Sequence, residues 1–401
     1  MTGPAAGAAP VPEIALLTYS TKPRGGVVHT LALAEALHAL GAPVRVVALG
    51  DPAAGFFRPV RAPVTIVPGP SGESSLEDTV AASIEAMTQA LGTVDAPVLH
   101  SQDCISARAA ARVRDAGAPV TVVRTVHHVD DFTSQVLLDC QVAAILEPDA
   151  VFVVSDVWRH QLAADHRVVA RVVPNGVDVA RFRTAPRGRA AELRARVGAT
   201  GRPLLLSVGG VEPRKGSDVL VRALSRLKRV HGMAPVLVVV GGHSFQDHRP
   251  YRESVLAELL SLGLELGVDV VLAGTVDEVD VPAWYAAADV LAFPSAKEGF
   301  GLAVLEAMAA GVPVVTSDLP VFREYLEPGR DALLVQVGDV AGLTGALRSV
   351  LVDTELRDRL VAAGHRVTTR FTWAGSARAH LELYAELLAR GTGRGWGSAA
   401  S

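Results

Sequence analysis

Cysteine is nearly absent from this chain: Cys104 and Cys140 are the only two among 401 residues. Their separation fits neither a metal-ligand nor a redox motif, which excludes a disulfide-stapled secreted fold and leaves two reduced, mostly structural thiols. Long apolar runs are also lacking. Segments such as Val236–Val240 fall far short of the roughly 18 residues needed to cross a bilayer. The opening stretch, MTGPAAGAAPVPEIALL, has neither a basic segment nor a sustained apolar one, so no secretory leader is expected and the expected location is the cytoplasm. Charge of one sign is missing as well: 38 Lys+Arg stand against 42 Asp+Glu, a net charge of −4. Without a basic stripe, nucleic acid is excluded as a partner and docking on a strongly anionic membrane is disfavoured.

What is present is a well-buried chain, 49% hydrophobic and 20% charged, too long for one compact core. Short Val/Leu/Ile runs alternate with Ala/Leu/Arg stretches of helical period, the pattern of parallel strands joined by crossover helices. A first series of strands is expected at Ile14–Leu17, Val44–Ala48, Val64–Val67, Val98–His100, Val120–Val126 and Val151–Val154. A second starts afresh at Leu204–Val208, Val236–Val240, Val270–Leu272, Val290–Ala292, Val314–Thr316 and Leu333–Val335. Between them, Val179–Pro203 is rich in Arg, Ala, Pro and Gly and is expected to be a connector with one linking helix. Two doubly wound α/β domains follow, 1–178 and 179–371, with a terminal helix over 372–390 and a disordered tail at 391–401. No short repeat supports a solenoid. The Gly/Ser/Pro-rich loop Pro68–Ser75 reads as a surface connection.

Several motifs sit where such domains bind ligands. After the first strand, Gly25–Gly26 opens a helix, and Gly26 there permits close approach of a phosphate as readily as it makes a plain turn. The second series opens in parallel fashion with LLLSVGGVEPRKG. Gly209 and Gly210 end a strand and Arg214 and Lys215 follow, cations that suit either a phosphate or solvent. The stretch FPSAKEGFGLAVLEAMAAGVPVV places Glu298 in a loop and Glu306 in the helix behind it. A carboxylate on that apolar helix is explained by a ligand diol. The backbone N–H groups of Phe300, Gly301 and Leu302 meanwhile suit an anion at the helix start. Gly299-Phe300-Gly301 with Asp318 imitates a dinucleotide fingerprint, but Val304 stands where its third glycine belongs.

In RTVHHVDDF, His127 and His128 follow a strand, whose alternation turns only one of them to a cleft, and a structural role suits His127 equally. VVPNGVD reads as a structural turn before the connector more than as a ligand contact. Asp-x-Asp occurs nowhere, so the usual Mg or Mn chelate for a nucleoside diphosphate is missing. No metal and no cofactor are expected.

Taken together these motifs resemble the retaining glycosyltransferases of family 4, over most of the chain. The most specific part is the pair Glu298 and Glu306 in EGFGLAVLEAMAAGVPVV. The resemblance implies the GT-B fold, two facing Rossmann-like domains with the last helix crossing back to the first, and metal-independent transfer from a nucleotide sugar to an acceptor hydroxyl. It implies that Arg214 and Lys215 hold the donor diphosphate, Glu306 the ribose hydroxyls and Glu298 hydroxyls of the transferred sugar. His127 would lie beside that sugar, Gly26 near the phosphate or the acceptor, and Gly209 in the donor site. The sequence departs from the family pattern after His127, where His128 replaces a frequent acidic residue. A nucleotide-sugar epimerase of the same architecture and a non-catalytic nucleotide-sugar-binding protein are the alternatives.

Overall fold

The computed structural model describes residues 12–70, 75–242 and 248–390. The expected tail at 391–401 and the middle of the Pro68–Ser75 loop lie outside the described residues. The chain forms two compact units: Met1–Pro174 with Trp373–Ser401, and Asn175–Thr372.

The first unit is built on β1 (Ile14–Thr18), β2 (Val44–Gly50), β3 (Val64–Pro68), β4 (Val98–Ser101), β5 (Thr121–Val126), β6 (Ala150–Val153) and β7 (Ala170–Val172). They form one parallel sheet in the order β3-β2-β1-β4-β5-β6-β7. Its inner strands read as largely apolar runs because both faces are covered, whereas the edge strand β3 is largely exposed. Ile14 and Leu16 pack in a core with Leu31, Leu37 and Phe152, whereas Ala15 and Leu17 pack in another with Met87, Ile105 and Cys140. Helix Trp373–Arg390 adds Ala377, Tyr384 and Leu387 to the first of these cores, so the end of the chain folds as part of the first unit. The edge strand β7 has no counterpart in the sequence reading, because three residues with Arg171 at the centre make no apolar run.

The second unit carries β8 (Leu204–Val208), β9 (Val236–Val240), β10 (Val270–Gly274), β11 (Val290–Phe293), β12 (Val314–Ser317) and β13 (Leu333–Val335). These are also parallel, in the order β10-β9-β8-β11-β12-β13. In both sheets the strand order reverses once, at β1/β4 and at β8/β11, and it is at such a reversal, at the carboxyl edge, that ligands of such sheets bind. The connector holds two helices, Val179–Arg183 and Arg187–Arg196, rather than one. Pro186 separates them, since the residue before a proline is driven out of the helical region. The Pro-Asn-Gly turn is tied into the second unit: Val177 N–H donates to Phe371 O at 3.0 Å, and the Asp178 carboxylate caps Arg181 N at 3.0 Å. Among the described residues, no helix is long and apolar enough to cross a membrane.

Candidate active site

In the second unit, the loops that follow β8 and β11 meet at the point where the strand order reverses. The 3₁₀ turn Pro213–Lys215 is fastened to the β11 loop by Ala296 N–H, which donates to Arg214 O at 2.8 Å. Gly216 makes that contact possible. Its φ is +64°, and a Cβ there would fall 2.2 Å from Pro294 O, so no other residue fits. Gly209 has φ +125°, and the Lys215 stem lies over it so closely that a Cβ would sit 2.8 Å from Lys215 Cε.

The consequence is a compact charge cluster. Lys215 Nζ donates to Glu298 Oε1 at 2.7 Å and Arg214 Nη1 to the same oxygen at 3.2 Å. Arg214 also reaches Lys297 O at 3.3 Å and stands 3.9 Å from the Glu212 carboxylate. Lys215 Nζ lies 4.5 Å above the Phe293 ring. Burial works against the charge on Glu298, but Lys215 and Arg214 outweigh it and hold the carboxyl below its ordinary range. Burial pulls the Lys215 ammonium down, with Arg214 adding to the pull and Glu298 opposing it. Two cations and two carboxylates sum to zero, so the cluster is a set of aligned charges rather than a bare basic patch.

Behind it, Gly301 caps helix Leu302–Ala309 without a side-chain hydrogen bond. Phe300 is fixed by Tyr325, whose hydroxyl donates to Phe300 O at 2.8 Å and whose ring stacks on it at 5.4 Å. Glu306, one turn into that helix, belongs to a different group of side chains. Its Oε2 accepts from Tyr285 Oη at 2.6 Å. Burial raises the Glu306 carboxyl, while the Tyr285 bond and nearby Arg181 draw it back. Arg181 is in turn paired with Glu278 at 2.8 Å.

In the first unit, His127 follows β5 and Gly26 lies in the first turn of helix Gly25–Ala39. The two are neighbours: a Cβ on Gly26 would stand 3.8 Å from both His127 Cδ2 and Gln102 O. His127 Nε2 donates to Gln102 Oε1 at 3.0 Å, and the His29 ring packs edge-on against it at 4.6 Å. Burial, then His29 and Arg124, push the imidazole well below its usual range, so His127 is neutral. His128 has a different partner, Asp130 Oδ1 at 3.1 Å. Tyr19 N–H donates to Asp103 Oδ2 at 2.8 Å and ties the β1 loop to the β4 loop.

The structure therefore gathers Gly209, Arg214, Lys215 and Glu298 at one sheet edge, with Phe300, Gly301 and Leu302 leading into the helix that carries Glu306. Gly26 and His127 meet at the corresponding edge of the first sheet. Sequence reasoning missed Glu212, Gly216, Tyr285, Arg181 and Gln102. Gly216 was legible, as a glycine between two cations and a helix. The others act through tertiary contacts that no local pattern records. Cys104 and Cys140, 36 positions apart, also join one apolar core, where the neighbouring Cys140 thiol and burial push the Cys104 thiol up.

Two family models match the chain, "Glycosyltransferase Family 4" over residues 23–181 and "Glycosyl transferases group 1" over residues 190–367. A D-inositol 3-phosphate glycosyltransferase of Nocardia farcinica is 36% identical over 225 residues, 54% of this chain and 47% of that protein. The chain thus matches about half the length of that relative. A phosphatidyl-myo-inositol mannosyltransferase of Mycobacterium leprae is 30% identical over 384 residues, covering 93% of this chain and 96% of that protein. Among solved structures, Anabaena HepE in complex with UDP and glucose superposes with a TM-score of 0.78 at 21% identity, over 93% of this chain and 99% of that one. At that identity the likeness is one of fold.

Proposed function

Because the chain belongs to the family 4 glycosyltransferases and has their GT-B fold, we propose that it moves a hexosyl group from a nucleoside-diphosphate sugar to an acceptor hydroxyl, with retention at the anomeric carbon and without a divalent metal. The observation that carries this reading is the Arg214–Lys215–Glu298 cluster at the carboxyl edge of the second sheet. When the bond between C1 and the phosphate oxygen breaks, negative charge grows on the leaving diphosphate and positive charge on C1. Donors fixed in advance, Lys215 and Arg214, meet the first of these, which is usually the largest catalytic term. Glu298 accepts hydroxyl hydrogen bonds from the sugar, and Glu306 binds the ribose. His127, neutral and held by Gln102, is the first unit's candidate for a contact with the transferred sugar. The acceptor oxygen attacks C1 on the face the phosphate leaves, and its proton passes to the departing phosphate oxygen.

The mannosyl and inositol terms in the relatives' names make GDP-mannose and inositol-bearing alcohols the first substrates to test, with UDP-glucose beside them. Each donor is incubated with acceptor in excess EDTA, and the product anomer is read by proton NMR. Transfer in EDTA with the donor's anomeric configuration is the expected result. Complete loss restored by Mg contradicts the metal-free site, and an inverted product contradicts retention. Conversion of the donor with no acceptor present supports the epimerase instead.

A further inference from the structure

Glu306 is a part-buried carboxylate on an otherwise apolar helix, and among the described residues its hydrogen-bond partner is Tyr285, on helix Val281–Ala287. Tyr285 is only 1% exposed. Its ring is clamped edge-on by Phe182, centroids 5.4 Å apart and planes at 85°. A tyrosine hydroxyl has a single hydrogen to donate, and this one goes to Oε2. A glutamate side chain otherwise turns about three bonds, and ordering it at the moment of binding weakens affinity. We propose that Tyr285 is a positioning residue for the nucleotide: its hydroxyl fixes the Glu306 carboxylate through Oε2 and leaves Oε1 to accept from a ribose hydroxyl. This rests on the assignment of Glu306 to ribose. Tyr285 itself touches no substrate.

The test compares GDP and UDP with their 2′,3′-dideoxy counterparts, by calorimetry on the full chain. The wild type prefers the ribonucleotide. Tyr285→Phe keeps the ring and removes only the hydroxyl. It is expected to weaken the better ribonucleotide about 10-fold, the scale of one hydrogen bond to a charged group, while leaving the dideoxy form unchanged. In the transfer assay, donor KM rises with kcat nearly constant, the sign of lost uniform binding. Equal weakening of both nucleotides, or no weakening, overturns the role of Tyr285. Glu306→Gln separates the two layers of the argument. If it abolishes the ribose preference while Tyr285→Phe does not, Tyr285 alone is wrong. If it leaves the preference intact, the Glu306 assignment falls with it. Should Tyr285→Phe fail to fold, Phe182→Leu loosens the edge-on clamp on the Tyr285 ring while leaving Glu306 itself unchanged, and carries the same comparison with the same two outcomes.

Discussion

Arg214 and Lys215 stand in the sequence as two adjacent cations, and in the fold each faces a carboxylate. The sequence could show the cations because they are consecutive and follow a glycine pair at a strand end. Their neutralisation could not be read, since Glu298 lies 83 residues beyond Lys215 and meets it only when β8 and β11 pair. The charge count then makes a prediction that a simple basic site does not. Glu298→Gln removes one negative charge from a cluster that sums to zero, so nucleoside diphosphate should bind more tightly, on the order of 10-fold. Transfer should nevertheless slow, because the amide is a weaker acceptor for the sugar hydroxyls. Calorimetry and steady-state rates on the same preparation check both. Weaker diphosphate binding would mean that Glu298 serves mainly to hold Lys215 and Arg214 in place.

Among the elements, the sequence reading located twelve strands within one or two residues, because most of them are buried on both faces and leave short runs rich in branched apolar residues. Its omissions were elements without that signature, β7 and the second helix of the connector. The histidines show a different limit. His127 was legible from its place at a strand end, but His29, His100 and His380 come together only when β4 and helices Gly25–Ala39 and Trp373–Arg390 pack. His100 shares hydrogen bonds with Tyr384 Oη at 2.5 Å and Thr125 Oγ1 at 2.7 Å, and His380 with Ser376 O at 2.8 Å. Burial pushes His100 and His127 well below their ordinary range and His380 down to about 4. The unfolded chain therefore binds protons near pH 6.5 that the folded unit refuses, and stability falls as pH drops below about 6.5 toward 4. Above that window these groups are neutral in both states and contribute no slope. Urea midpoints read by exchange mass spectrometry on each unit's peptides should decline with acid for 12–174 and 373–390. A first-unit midpoint that holds steady or rises between pH 7 and 5 contradicts this.

For the molecule as a whole, two series of parallel strands, each starting afresh, were enough to give two doubly wound sheets. The divisions fall at 174/175 and 372/373, against 178/179 and 371/372 from composition. The small offset arises because the Pro-Asn-Gly turn is hydrogen-bonded to Phe371, so most of the turn folds with the second unit. The candidate site was legible where it depends on residues close in sequence, such as glycine pairs, adjacent cations and two glutamates on one loop and helix. It was hidden where side chains distant in sequence meet, as Tyr285 does with Glu306 and Gln102 with His127.

The central claim is that Arg214 and Lys215 hold a nucleoside diphosphate through its phosphates without a metal. Calorimetric titration of GDP and UDP against GMP and UMP, in excess EDTA, tests it most directly. The wild type should bind the better diphosphate about 10-fold or more tightly than the matching monophosphate, the scale of one charged hydrogen bond, and Lys215→Ala should erase that preference while monophosphate affinity changes little. Equal affinity for the two nucleotides in the wild type, or a diphosphate preference that survives Lys215→Ala or needs Mg, would contradict it.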